Sequence, residues 1–204
     1  METTERGGYH HGDLAAALVT AALEIVDESG VSALTLRAAA RRAGVSHAAP
    51  AHHFGDKRGL LAAVAEEGFR LQVEHMQRCV EEAPDHALPR FRAVGSAYIT
   101  FATAHPARFR VMFHAELADK SNCPGLAEVA ATSLSMLHDG IVECQHAGFV
   151  RPGDPWPIAL LAWSSVHGLA SLAINGQLGE KGYPTDAADL AELLTMEMFL
   201  GLRP

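Results

Sequence analysis

Aromatic residues are scarce in this chain of 204 residues, at 6%, although apolar residues together reach 49%. A core drawn from alanine and leucine more than from rings favours helices over sheet. No alternating run of strand length is present, and neither is a repeat or a low-complexity tract. Cysteine is also rare. Cys79, Cys123 and Cys144 are odd in number, far apart and without a CxxC pair, which argues against a disulfide framework or zinc finger and suits a reducing interior. A thiol sensor at Cys123 would have only Lys120 as a basic neighbour. The opening METTERGG lacks the apolar segment of a signal peptide, so a cytoplasmic location is expected.

Catalytic signatures are missing too. GxSxG, GxxxxGKS/T, GxGxxG and HExxH do not occur. Cys144 and His146 stand two apart and would point to different helix faces. The pairs Glu66/Glu67 and Glu81/Glu82 read as solvated surface. His10-His11 has few fixed ligands nearby. No enzyme, cofactor or metal site is expected. Charge is absent from one long stretch, Pro155 to Gly179, which holds no Asp, Glu, Lys or Arg. It is long enough to cross a bilayer, but it contains Pro157, Ser164, Ser165, His167, Asn175 and Gln177 and has no basic flanks. A helix buried in a protein assembly fits better than a membrane span.

What is present centres on Thr35 to Lys57, TLRAAARRAGVSHAAPAHHFGDK. Thr35 can cap a short helix with Leu36, Ala39 and Ala40 inward, Gly44 supplies a permissive turn, and Val45 plugs the angle. Ser46 is expected to cap a second short helix. This is the helix-turn-helix pattern, whose second helix enters the major groove of DNA. Between Arg37 and Arg58 lie five Lys/Arg and only Asp56 as an acid, a local balance of +4 in a chain of net −8, so the remainder carries −12. One basic face on an acidic body suits a polyanion.

In chain order, residues 1–8 read as disordered. Asp13 is the expected cap of a helix to about Ser29, and Asp56 of a long helix to about Ala83. Helices then follow over about Ala87–Ala104, Ala107–Leu117 and Leu126–Ala147. Asp154 caps one reaching about Ile174, and the last covers about Asp186–Leu202. Proline at 84 and 106 and glycine at 30 and 148 mark the ends.

The run YHHGDL…ALEIVDESGVSALTLRAAARRAGVSHAAPAHHFGDKRGLLAAVAEEGF resembles the DNA-binding domain of TetR-type transcriptional repressors from Gly8 to about Leu71. WSSVHG (Trp163 to Gly168), preceded by HPARFRVMF, is similar to the WHG-type ligand-binding domain of one branch of that family. The resemblance implies an all-α fold of about nine helices. Residues 9–58 would form a three-helix DNA-binding domain, and residues 59–204 a helical effector-binding and dimerisation domain. The implied function is a DNA-binding regulator, a ligand-responsive repressor on a pseudo-palindromic operator. Its expected partners are double-stranded DNA, a second copy of the chain and a small apolar effector, with no membrane. The alternative is a helical ligand-binding or scaffold protein whose head no longer binds DNA.

Candidate DNA contacts are His47 and Ala48 toward base edges, with Thr35, Arg37, Ser46, His52, His53 and Lys57 toward phosphates. Phe54 reads as core. Ala51 stands where relatives usually carry a phosphate-binding tyrosine, and Ala15 where this branch often has arginine. Both losses would weaken nonspecific affinity or shift work onto His52 and His53. Because histidine ordinarily titrates near pH ~6.5, stronger binding at mildly acid pH is expected. His10-His11 reads as part of an arm near DNA or as a surface pair. For the effector, Phe101, Phe109, Met112, Phe113, Met136, Trp163 and His167 are the candidate cavity lining. Their spacing alone fits ordinary core at least as well.

Overall fold

In a computed structural model of the chain the described residues are 11–184 and 186–203, with the side chains of residues 11–13 and 180 set aside. The expected tail at 1–8 and Tyr9 and His10 of the expected arm lie outside what is described. Nine α-helices and no strand occur among the described residues: α1 His11–Ser29, α2 Leu36–Ala43, α3 Ala49–Phe54, α4 Lys57–Glu82, α5 Ala87–Ala104, α6 Pro106–Met112, α7 Pro124–His146, α8 Pro155–Ile174 and α9 Ala187–Leu202. Since α1 already begins at His11, Asp13 falls inside it rather than ahead of it.

Local chemistry sets most of the boundaries. The Thr35 hydroxyl accepts the Ala38 N–H at 3.0 Å, and the carboxylates of Asp56, Asp154 and Asp186 accept those of Gly59, Trp156 and Ala188. Each satisfies a donor that the first helical turn leaves open. The helix expected over Ala107–Leu117 divides instead. α6 stops at Met112, and a separate 3-10 turn covers Ala115–Leu117. There the His114 ring nitrogen accepts the Glu116 N–H at 3.3 Å, a local bond that competes with continuing the α-helix.

α4 is the spine. At 26 residues it spans ~39 Å and packs on α5, α6 and α7. Its first half shares a core with the head, in which Leu18, Val26, Leu34, Ala39, Leu60, Leu61 and Val64 meet Phe101, Val111 and Leu126. Its second half enters another, where Met76 meets Phe91, Val94, Leu137, Ile141 and Ile158. A third cluster joins Tyr98, Phe109, Val166 and Ala191. Each fully buried leucine or isoleucine contributes about 1.5–3 kcal/mol, so head and body are held together by apolar burial along one helix.

Candidate nucleic-acid interface and effector cavity

The head is built from α1 to α3 and the start of α4. After α2 the chain turns at Gly44, whose φ of 69° is left-handed and open to glycine without strain. Val45 follows, half-buried against the head core. Ser46 does not cap the next helix. α3 begins at Ala49, its N-cap position is Ala48 with no side-chain bond, and the Ala49 N–H closes a turn on the Ser46 carbonyl at 3.1 Å. The reason is Pro50. A helix capped at Ser46 would need the residue 50 N–H as donor to the Ser46 carbonyl, and proline has none. His47 and Ala48 therefore sit exposed in the turn that leads into α3, while Ala51 and His52 are exposed on the helix itself. His53 is half-buried, its ring 6.0 Å from that of Phe54.

Electrostatics narrow the basic face. Arg42 is turned back onto α1, 2.6 Å from Glu28 and 3.3 Å from Glu24, and its bond holds the Glu28 carboxyl below the usual carboxylate range. Arg58 donates to the carbonyls of Glu116 and Asp119, at 3.2 and 2.6 Å. Lys57 lies 3.2 Å from the Glu116 carboxylate. Three of the five cations counted in the sequence are thus engaged within the protein. Arg37 and Arg41, one turn apart on α2, are exposed and make no ion pair with a described residue.

The second feature is a cavity of about 320 Å³ in the helical body. Phe69 and Met76 of α4, Val94, Gly95 and Tyr98 of α5, Trp163 and Val166 of α8, and Phe113 and Lys120 form its walls. α7 supplies Ala127, Ala130, Ala131, Ser133, Leu134 and Leu137. Burial keeps the Tyr98 phenol protonated, raising its pKa well above the usual range, and holds the His167 imidazole below the usual histidine range. The Tyr98 hydroxyl and His167 Nδ1 share a hydrogen bond of 2.8 Å, and the Tyr98 oxygen accepts the Trp163 indole N–H at 3.4 Å. The thiols of Cys79 and Cys144 are both pushed up by burial, Cys144 to about 11, which leaves them poorly reactive.

Residues 18–64 match the family described as "Bacterial regulatory proteins, tetR family", and residues 91–198 match "Tetracyclin repressor-like, C-terminal domain". The chain belongs to the TetR family. That family is one of bacterial regulatory proteins, and the fold is all-α. Over 82 residues it is 39% identical to the HTH-type transcriptional regulator BetI of Burkholderia thailandensis, a match that spans 40% of this chain and only 42% of that relative. A protein of unknown function from Rhodococcus sp. RHA1 has the same fold at TM-score 0.82 and 37% identity, over 98% of this chain and 100% of the other. The regulator FadR of Bacillus subtilis, solved in complex with stearoyl-CoA, shares the fold at TM-score 0.73 and 18% identity, over 92% and 99% of the two chains.

In this TetR-family fold the residues singled out by sequence fall in different places. Thr35, Arg37, Ser46, His47, Ala48, His52 and His53 gather on α2, α3 and the turn between them, and Lys57 starts α4 beside Glu116. Of the seven expected cavity residues, Phe113 and Trp163 are in the wall. Phe101, Phe109 and Met112 are buried in packed core. Met136 is half-buried against the second core cluster, and His167 bonds to Tyr98 rather than facing the void. Their aromatic and sulfur bulk fills space instead of bordering it. Sequence reasoning missed the α7 wall, where Ala127, Ala130, Ala131 and Leu134 recur at helical spacing. A stripe with so many alanines leaves volume that larger neighbours do not fill, and that was the available signal.

Proposed function

We propose that this TetR-family regulator is a repressor that binds a pseudo-palindromic operator as a homodimer and is released by a small apolar effector in the body cavity. Residues 9–58 act as the reading head and residues 59–204 as the effector and dimer domain. The observation that carries this is continuity: α4 begins at the recognition helix, and Phe69 and Met76 further along it form the cavity wall. Apolar walls with a few polar groups suit a compact lipophilic ligand.

A route between the sites follows from the segment 113–120. Phe113 and Lys120 line the cavity, and between them the carbonyls of Glu116 and Asp119 hold Arg58. An effector that pushes on either end displaces the anchor of α4 next to the recognition helix. Head separation then changes, and the operator-competent population falls.

Dimerisation rests on α8 and α9. Trp156, Leu160 and Leu161 are each more than half exposed, and Leu172, Leu193, Met196 and Leu200 are exposed as well. α8 is long and apolar enough to cross a membrane by length and composition, but covering by the same helices of a second copy, as a four-helix bundle, accounts for its uncharged face. Two heads then address two half-sites, in the cytoplasm where the operator lies.

The second reading, a ligand-binding or scaffold protein with a silent head, draws on Ala51 and on the internal engagement of Arg42, Lys57 and Arg58. A gel shift on the chain's own upstream DNA over a salt series separates the two. The regulator reading expects binding that falls steeply with salt. Indifference to genomic and random duplex alike at low ionic strength would favour the silent head.

A further inference from the structure

The body cavity is apolar, yet its wall carries one charge. Phe69, Met76, Val94 and Tyr98 are buried wall residues, whereas Lys120 is half-buried and Ala131 of α7, the helix that follows Lys120, is exposed. The charge thus belongs to the part of the wall nearer solvent. Among the described wall residues Lys120 is the one charged group, and no carboxylate accompanies it. The other polar side chains of the wall are committed to protein partners. The Tyr98 hydroxyl is bonded to His167 and Trp163, and Ser133 donates to Gln72. The acids on neighbouring elements are engaged as well. Glu66 pairs with Arg70 at 2.7 Å, Glu116 with Lys57 at 3.2 Å, and the Asp119 carboxylate accepts the Ser121 N–H at 2.9 Å. Lys120 makes no ion pair with a described residue.

We propose that the effector is a compact amphiphile, an apolar body ending in a single carboxylate that pairs with Lys120. The inference rests on the effector-site reading above and names the class of ligand. An ammonium on the ligand would meet like charge and find no acid in the wall, and a second carboxylate among the buried apolar residues would lack compensation. A single carboxylate at Lys120 forms a charge-assisted hydrogen bond while the rest of the molecule covers apolar surface. The body is compact because about 320 Å³ is at the lower end of the volumes that enclose drug-sized ligands. Lys120 also follows Asp119, whose carbonyl holds Arg58, so the charged end of the ligand acts on the segment that anchors α4.

The test is titration calorimetry at neutral pH on the full-length protein with probes matched in shape: 4-phenylbutyrate, 4-phenylbutanamide and 4-phenylbutylamine, together with octanoate and octanamide. Each carboxylate should bind about tenfold more tightly than its amide, as a charge-assisted bond to a half-buried partner implies. Lys120→Gln should abolish that preference while 4-phenylbutanamide still binds, which also shows that the variant is folded. Lys120→Arg should keep it. Ala130→Leu, which takes volume from the cavity on the α7 side, should weaken acid and amide alike. Equal affinity for acid and amide, a preference that survives in Lys120→Gln, tighter binding of the amine, or acid binding untouched by Ala130→Leu would each overturn the inference. Equal affinity of acid and amide, both weakened by Ala130→Leu, would leave the effector site standing without its anion. If no probe binds, the inference and the effector-site reading fall together.

Discussion

Thr35 uses one hydroxyl in two directions. Its oxygen accepts the Ala38 N–H, while its own proton remains available to a phosphate at the entrance to α2. Thr35→Ala should lower stability by ~1 kcal/mol through the lost cap, read from urea unfolding, and should weaken operator binding as well. Thr35→Asp keeps the cap but faces the phosphate with a negative charge, so stability should hold while binding drops. A second residue-scale effect concerns acid. Burial is the main cause that holds His75, His105 and His167 below the ordinary histidine value of 6.5. Below about pH 6.5 the unfolded chain takes up protons that the folded chain still refuses. The stabilisation is therefore complete above that pH and lost progressively beneath it. Calorimetric melting temperatures should fall between pH 7.5 and 5.5, and His167→Gln should give a shallower slope. The lowered carboxyls of Glu28 and Asp119 act only in a more acid range and do not mask this.

Among the elements, the corner between α3 and α4 is tightest. A Cβ at Gly59 would stand 1.9 Å from the Phe54 carbonyl oxygen and 3.0 Å from its carbon. Both are backbone atoms, which no rotamer change can move aside. Gly59→Ala must tilt α3 against α4, and about 1–3 kcal/mol of destabilisation is expected, with a larger proportional loss in operator affinity measured by fluorescence anisotropy. Were operator affinity unchanged, the angle of α3 would not matter to docking. The Arg58 anchor is the other element-scale device. Arg58→Ala frees the segment 113–120 from α4, so cavity ligands should still bind with nearly unchanged affinity. The ratio of operator affinities with and without saturating ligand should nevertheless shrink toward one. Retention of the full ratio would assign the coupling elsewhere.

At the scale of the whole molecule, an acidic body carries a narrow cationic head, and an apolar face on α8 and α9 is left uncovered in the single chain. Patches of this kind normally mark an interface. Leu160→Glu combined with Leu193→Glu places charge in the centre of that face. Sedimentation equilibrium should then find monomers where the unaltered chain is dimeric, and operator affinity should fall by more than tenfold because one head alone engages one half-site. A monomeric unaltered chain would remove the basis for twofold docking.

Much of the fold was legible because helix ends are local events. Thr35, Asp56, Asp154 and Asp186 each reach a backbone N–H two or three residues ahead, and no distant residue has to cooperate. Even the later start of α3 was within reach, since Pro50 forbids a cap at Ser46 for a reason contained in five residues. Long-range choices were not legible. Whether Arg42 faces solvent depends on Glu28, 14 residues away, and the fate of Lys57 depends on Glu116, 59 residues away. Likewise, periodicity assigns an aromatic to the inward side of a helix but does not say what it meets there. Phe109 and Phe113 are one turn apart on the chain, yet one is packed solid and the other borders a void. Sequence alone therefore determined the helices, their caps and the family's head. Only tertiary packing decided which cations stay free and where the volume was left unfilled. Those outcomes depend on side chains brought together from separate helices.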